Sequence, residues 1–232
     1  YAKFPVVGKE NEYILAWTTT PWTLPSNVAL VVNAHEDYCK VSYKGEILIF
    51  AKALVEPLLK EDYEIIETFK GADLQGTRYK CLFDFLEDDP TGFYVVTDDY
   101  VTLTDGTGIV HIAPAFGEDD ANVGRKYDLP FVQLVDGKGE MTKETPWAGT
   151  FCKDVDKEIL VNLEERGQLF NAPKFEHSYP FCWRCDTPLI YYARDTWFIK
   201  MTDVKDDLIK NNNTVNWIPK TIGEGRFGAW LE

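Results

Sequence analysis

The sequence predicts a mixed α/β chain, predominantly β, with a closed or partly closed β-barrel core decorated by helices. Three observations lead there. Short runs rich in Val, Ile, Leu and Tyr recur along the chain, each bounded by Pro, Asn, Gly or charge. A smaller number of segments carry apolar residues at helical spacing. Many short strands interrupted by a few helices favour a sheet that hides its edges by closing on itself. At 232 residues the chain can bury a substantial core, and it fits one large β-rich domain with elaborations.

The elements follow in order. The opening "YAKFPVVGKENEYILAW" starts as though already inside a strand pair. Residues 12–18, 28–32, 38–43 and 46–51 read as strands, and "SYKGEIL" supplies a hairpin turn at Lys44 and Gly45. A helix is expected at 52–60, where Leu54, Leu58 and Leu59 recur near helical spacing, and "YEIIETF" returns to strand. "FYVVT" and "GIVHIAP" are further strands flanking the loop "LTDGTG". "GEDDANVGRKYD" reads as a helix whose acidic first turn and Arg125 and Lys126 in the last turn match the helix dipole. Residues 136–150 are turn-rich and read as a loop. A helix at 153–166 puts Val155, Ile159, Leu160 and Leu163 on one face. "LIYYARDTWFIKM" is expected to be a strand, "TDVKDDLIKNNN" a helix, and "GEGRFGAWLE" the first turn of another. Both ends read as cut, so a piece of a larger polypeptide is expected.

Composition narrows the function. A content of 45% hydrophobic and 14% aromatic residues describes a folded globule, because disordered chains lack the apolar surface that offsets ordering entropy. No segment approaches the roughly 20 apolar residues of a membrane span, and no secretory signal opens the chain. Five cysteines at irregular gaps (Cys39, Cys81, Cys152, Cys182, Cys185) argue for a reducing compartment, so a cytoplasmic location is expected. A formal charge of −14 disfavours extended nucleic-acid binding but leaves room for a pocket that takes one nucleotide end.

Three segments are able to carry chemistry. In "WTTTPWTLPSN" a strand of threonines runs into a rigid turn at Pro21, and each hydroxyl, with one donor and two acceptor positions, can hold a water or a polar substrate atom. The plainer reading is that threonines suit strands and that Trp17 and Trp22 are core. In "GTGIVHIAPAFGEDD", Gly106 and Gly108 allow a tight turn or a close approach, the strand carries His111, and Asp120 follows near a helix start. The plainer reading there is a core histidine and acidic helix caps. "CWRC", Cys182 to Cys185, is half of a tetrahedral zinc site. Cys39, Cys81 and Cys152 offer no second pair and His177 is one candidate third ligand, so no metal is expected. A zinc-knuckle docking module without catalytic activity is the alternative for the whole chain. A carboxylate-pair hydrolase using Asp119 and Asp120 fits poorly, since adjacent helical residues point about 100° apart.

Taken in order, the first two segments resemble the editing domain, connective polypeptide one, of isoleucyl-tRNA synthetases of the cytoplasmic, eukaryotic-like kind, which are class I aminoacyl-tRNA synthetases. Valyl and leucyl enzymes look similar at both places, but there an arginine typically replaces the third threonine and another residue the strand histidine. Thr20 and His111 therefore point to the isoleucine branch. "CWRCDTPLIYYARDTWFIK" and "GEGRFGAWLE" resemble the stretch, residues 175–232, by which this insertion returns towards the catalytic domain. The resemblance covers residues 1–232.

The resemblance implies hydrolysis of valine wrongly esterified to isoleucine tRNA. Isoleucyl-tRNA synthetase is itself the standard example of a site that cannot reject a missing methylene and needs a second sieve, so this implication comes from the family and from no pattern in the residues. Carried over by position, Thr18, Thr19, Thr20, His111 and Asp120 are the implied catalytic residues, with Trp22 and Asn27 against the substrate. The expected partners are the CCA end of tRNA(Ile) carrying valine and the remainder of the synthetase, with no membrane. No cofactor is implied for editing, ATP being used only by the catalytic domain. Asp120 would hold the α-ammonium through a charge-assisted hydrogen bond. Threonine hydroxyls and backbone N–H groups would orient water and meet the oxyanion, while stiff β-branched side chains and Trp22 set the pocket size. His111 is expected to act as a wall of the pocket more than as a general base.

Overall fold

The computed structural model describes residues 1–60, 62–83, 85, 91–175 and 178–232. Two compact units divide the chain, Tyr1–Ala193 and Arg194–Glu232.

In the first unit, strand β1 (Ala2–Pro5) pairs antiparallel with β2 (Glu12–Ala16). A 3₁₀ helix, Pro21–Ser26, precedes β3 (Ala29–Val32). Next come β4 (Asp37–Tyr43) and β5 (Glu46–Ala51), joined at Lys44 and Gly45, both at positive φ. That is the backbone a two-residue hairpin turn needs to match strand twist. Helix α1 (Val55–Leu59) follows a 3₁₀ turn at Lys52–Leu54, then β6 (Tyr63–Lys70) and the short α2 (Gly71–Leu74). Strands β7 (Tyr94–Thr97) and β8 (Ile109–Ile112) lead to α3 (Glu118–Tyr127). A 3₁₀ turn at Cys152–Val155 then opens α4 (Asp156–Glu165).

The strands form two mixed sheets, ordered β1-β2-β5-β4-β6 and β7-β3-β8. The expected barrel is not there, since neither sheet closes. Closure would hydrogen-bond the two end strands of a sheet, but β6 lies at the far edge from β1 and is mostly exposed, with Glu64 and Glu67 among its outward residues. A charged, exposed edge strand is stable without a neighbour. In place of closure the sheets meet at single bridges, of which Trp17 to Val110 is one.

Strand β3 explains how the second sheet is held. All its residues are buried, and period two sends Leu30 and Val32 into the main core and Ala29 and Val31 into a second one beside α3. A strand covered on both faces reads as an unbroken apolar run, as "VALVV" does. His111 of β8 lies opposite Leu30.

Two local expectations also change. Strand β2 ends at Ala16, so the threonines lie beyond the ladder and the alternation of strand faces does not govern them. "LIYYARDTWFIKM" forms no strand: residues 189–200 carry no ladder, and Trp197, Phe198 and Ile199 are exposed. Apolar β-branched and aromatic residues favour a strand only where a neighbour accepts its backbone bonds.

The second unit consists of α5 (Met201–Asn212), a π-helical turn at Ile222–Phe227 and α6 (Gly228–Leu231). Buried Asn212 ties it together, donating to the Gly223 carbonyl at 3.0 Å and accepting from the Trp217 indole at 2.9 Å. No helix among the described residues is long and apolar enough to cross a membrane.

Candidate active site

The site begins at Pro21. A proline restricts the residue before it to extended backbone and suits the first position of a helix. Thr20 is accordingly kept out of the helical region (φ −127°, ψ 78°), and Pro21 opens the 3₁₀ helix. This turn folds the threonines back on one another. The Thr18 Oγ1 accepts from the Thr20 backbone N–H at 3.0 Å and lies 3.2 Å from the Thr20 Oγ1. Thr20 Oγ1 is 3.4 Å from Thr23 Oγ1, which is 3.0 Å from His111 Nε2.

The direction of each bond follows from the one that cannot be reversed. Thr23 donates its only hydroxyl proton to the Thr20 carbonyl, 2.9 Å away. With Thr23 assigned as that donor, His111 donates from Nε2 to Thr23, Thr20 donates to Thr23, and Thr18 to Thr20. The histidine tautomer is thus assigned from the network. It leaves Nδ1 without a proton, and that buried atom has no partner. Burial also lowers the His111 pKa to about 4, which keeps the ring neutral at physiological pH. A neutral imidazole protonated on the atom facing the threonines holds the hydroxyl chain in place.

Asp120 stands in the first turn of α3, where the helix N-terminus favours a carboxylate. Its Oδ2 accepts from the Ala113 backbone N–H at 2.9 Å, two residues past His111. A Cβ on Gly117 would sit only 3.0 Å from the Asp120 Cγ, so the glycine leaves room for this carboxylate to fold back. Burial raises its pKa to about 6, with Asp119 adding to the rise.

The two quoted segments lie side by side. Gly106 (φ +74°) packs under Trp17, where an added Cβ would meet the indole at 2.7 Å. Trp17 bridges to Val110, and Thr23 reaches His111. Thr18 and Thr19 also face a cavity of about 370 Å³; His111, Asp120, Trp22 and Asn27 are not among its lining residues. Trp22 is buried edge-on against Phe116, with ring centres 5.1 Å apart. Asn27 is fully buried, donating to the Ala29 carbonyl at 2.8 Å and accepting from Tyr79 at 2.7 Å.

Two residues outside the expected set complete the arrangement. Thr23 is the node of the hydroxyl chain, and its presence inside "WTTTPWT" was the available signal. Asp156, at the start of α4, accepts from the Trp22 N–H at 2.8 Å and anchors the Pro21 turn. Burial raises its pKa to about 6. Nothing in the sequence links it to a segment 134 positions away. Cys182 and Cys185 sit in a hydrogen-bonded turn, with Cys185 Sγ 3.1 Å from Thr187 Oγ1. His177 lies outside the described residues.

The family model for tRNA synthetases class I (I, L, M and V) matches residues 9–232. The chain belongs to that family. Among its relatives, the isoleucine-tRNA ligase of Clostridium novyi is 57% identical over 233 residues, covering 100% of this chain and 22% of the relative. That of Clostridium acetobutylicum is 55% identical with the same coverage, and that of Bacillus thuringiensis 48% identical over 231 residues, covering 99% and 22%. The chain thus spans about a fifth of the length of these ligases. The synthetase segment shares its fold with solved editing domains. A crystal structure described as GlLeuRS-CP1 superposes with a TM-score of 0.56 at 18% identity, covering 70% of this chain and 85% of that one. The P. knowlesi cytosolic leucyl-tRNA synthetase editing domain gives 0.55 at 15% identity, covering 68% and 82%.

Proposed function

We propose that this synthetase segment hydrolyses the ester of valyl-tRNA(Ile), as the editing module of a cytoplasmic isoleucine-tRNA ligase that loads the same tRNA. The observation that carries the reading is the hydrogen-bonded chain from Thr18 through Thr20 and Thr23 to His111, with Asp120 fastened two residues beyond the histidine. An aminoacyl ester is activated compared with an amide, so positioning a water is enough and no protein nucleophile is required. The Thr18 hydroxyl and nearby backbone N–H groups orient that water and meet the developing oxyanion. Asp120 binds the α-ammonium in its ionised form. His111 keeps the chain of hydroxyls in register and walls the pocket. The step uses no cofactor, the ligand being the CCA end of the tRNA, and ATP serves only the aminoacylation carried out elsewhere in a ligase.

The test is Asp120→Ala, which is expected to abolish deacylation of valyl-tRNA while the circular-dichroism spectrum is retained. In the unsubstituted chain kcat/KM should fall as pH drops through about 6, because the free enzyme must hold this carboxylate ionised. Full activity in Asp120→Ala would remove the ammonium anchor.

A further inference from the structure

The sequence contains two Asp–Gly steps, Asp105–Gly106 and Asp136–Gly137, and the fold treats them differently. Before a glycine, the next backbone nitrogen reaches an aspartate carboxyl most readily, because no Cβ on the second residue stands in the way. At Asp136 that approach is blocked. Its Oδ1 accepts from the Glu140 N–H at 3.0 Å and the Lys138 N–H at 2.8 Å, which pin the carboxyl and hold it below the usual carboxylate range. An ionised carboxylate resists attack by a nucleophile. Asp105, by contrast, is exposed and makes no hydrogen bond or ion pair among the described residues. The Gly106 N–H is donated to no carbonyl among them. Both reacting groups are free at this step. The loop that holds them is tied on either side: the Val101 carbonyl accepts from Asn33 Nδ2 at 3.2 Å, and the Thr107 carbonyl from the Ala51 N–H at 2.9 Å. Between those ties Gly106 packs under Trp17.

We propose that Asp105 is a modification site that converts spontaneously to isoaspartate, and that the conversion unseats Gly106 from beneath Trp17. The Gly106 nitrogen attacks Cγ of the protonated Asp105 carboxyl; the N–Cγ bond forms, the Cγ–OH bond breaks, and the hydroxyl leaves with the amide proton as water. The product is a cyclic succinimide. Solvent water then opens the ring at either carbonyl. Breaking the N–Cγ bond restores aspartate, whereas breaking the bond from the nitrogen to the Asp105 backbone carbonyl sends the main chain through Cβ and Cγ and frees the α-carboxylate. One water leaves and one returns, so no oxidant or cofactor is needed. The main chain becomes one atom longer inside a loop tied on either side, and Gly106 loses its φ of +74° against the indole. Trp17 and Thr18 line one cavity, so the change reaches the threonine turn. The freed α-carboxylate is the group that a carboxyl methyltransferase esterifies with the methyl of S-adenosylmethionine. None of this depends on the editing reading.

The experiment ages the purified chain for weeks at neutral pH and physiological temperature. Isoaspartate is then located by peptide mapping, as a peptide of unchanged mass and altered retention that a protease cutting before aspartate no longer cleaves. Methyl transfer from labelled S-adenosylmethionine by an isoaspartyl methyltransferase counts it. Isoaspartate should accumulate at Asp105 while Asp136 stays aspartate, and the melting point should fall by roughly 2–4 °C, the shift a modest packing loss makes in a domain of this size. Asp105→Glu keeps the exposed charge but closes the ring too slowly to matter, so it should age with its melting point unchanged. Asp105→Asn reaches the same succinimide by losing ammonia and should convert faster. In guanidinium, where no fold protects either step, both should convert alike. Equal conversion at the two steps in the folded chain would overturn the proposal, as would no conversion at Asp105 when the unfolded chain converts there. Isoaspartate at Asp105 with an unchanged melting point would overturn the coupling to Trp17.

Discussion

Replacing Thr23 with valine keeps the shape of the side chain and deletes the one hydroxyl on which the site converges. Three contacts disappear: to the Thr20 carbonyl at 2.9 Å, to His111 Nε2 at 3.0 Å and to Thr20 Oγ1 at 3.4 Å. The longest is marginal and adds little. The Thr20 carbonyl keeps the Thr23 backbone N–H at 3.1 Å, so the loss falls on His111, whose ring then has neither nitrogen satisfied. A buried polar group stripped of its partner costs about 1–3 kcal/mol, and the substitution should cost that much. At a urea slope of about 3 kcal/mol/M the midpoint falls by about 0.3–1 M. Thr23→Ser restores the hydroxyl and should recover most of that loss. Urea unfolding followed by tryptophan fluorescence measures it, and deacylation of valyl-tRNA in the absence of urea measures the site. A loss below about 0.5 kcal/mol with activity intact would show that the hydroxyl chain holds nothing together.

Three further outcomes are expected. His111→Gln tests the buried neutral ring. Its folded pKa is near 4 and its unfolded one near 6.5, so the unfolded state binds the proton first, and stability is lost as pH falls from about 6.5 to about 4. The stability gap between parent and variant should shrink over that window by an amount on the order of 2–3 kcal/mol, while Asp120 and Asp156, present in both, cancel; a constant gap would refute it. Asp156→Ala should lower the melting point by leaving the Trp22 N–H unpaired, whereas Asp156→Asn keeps the acceptor, removes a charge that burial disfavours, and should match or exceed the parent above pH 6. Gly106→Ala places a methyl group 2.7 Å from the Trp17 indole at φ +74°, and a loss of about 2–3 kcal/mol in a melt is expected where a neutral surface change would show none.

Local order was legible because it is written locally. The hairpin turn announces itself in Lys44 and Gly45, the buried run of β3 in "VALVV", and the start of α3 in three consecutive acidic residues. Partnership between distant segments was not. Period two tells which face of β5 is buried but not that β2 lies beside it in parallel, nor that β3 sits between β7 and β8. The barrel expectation failed at the same point, because a succession of strands carries no signal for whether the first and last meet. Asp156 is invisible for this reason: as a helix-start acid it resembles any cap, and only the fold carries it to the Trp22 N–H. The threonines stand out in the sequence as a group of hydroxyls. Their geometry comes from the Pro21 turn, however, and not from strand alternation.

The central claim is hydrolysis selective for the smaller aminoacyl group, and the most direct measurement is the rate at which the purified chain deacylates valyl-tRNA(Ile) and isoleucyl-tRNA(Ile) under identical conditions. Overpacking by one methylene is worth about 1–3 kcal/mol, so valyl-tRNA should be hydrolysed roughly ten- to a hundredfold faster. Equal rates on the two esters, or isoleucyl-tRNA cleaved first, would contradict it.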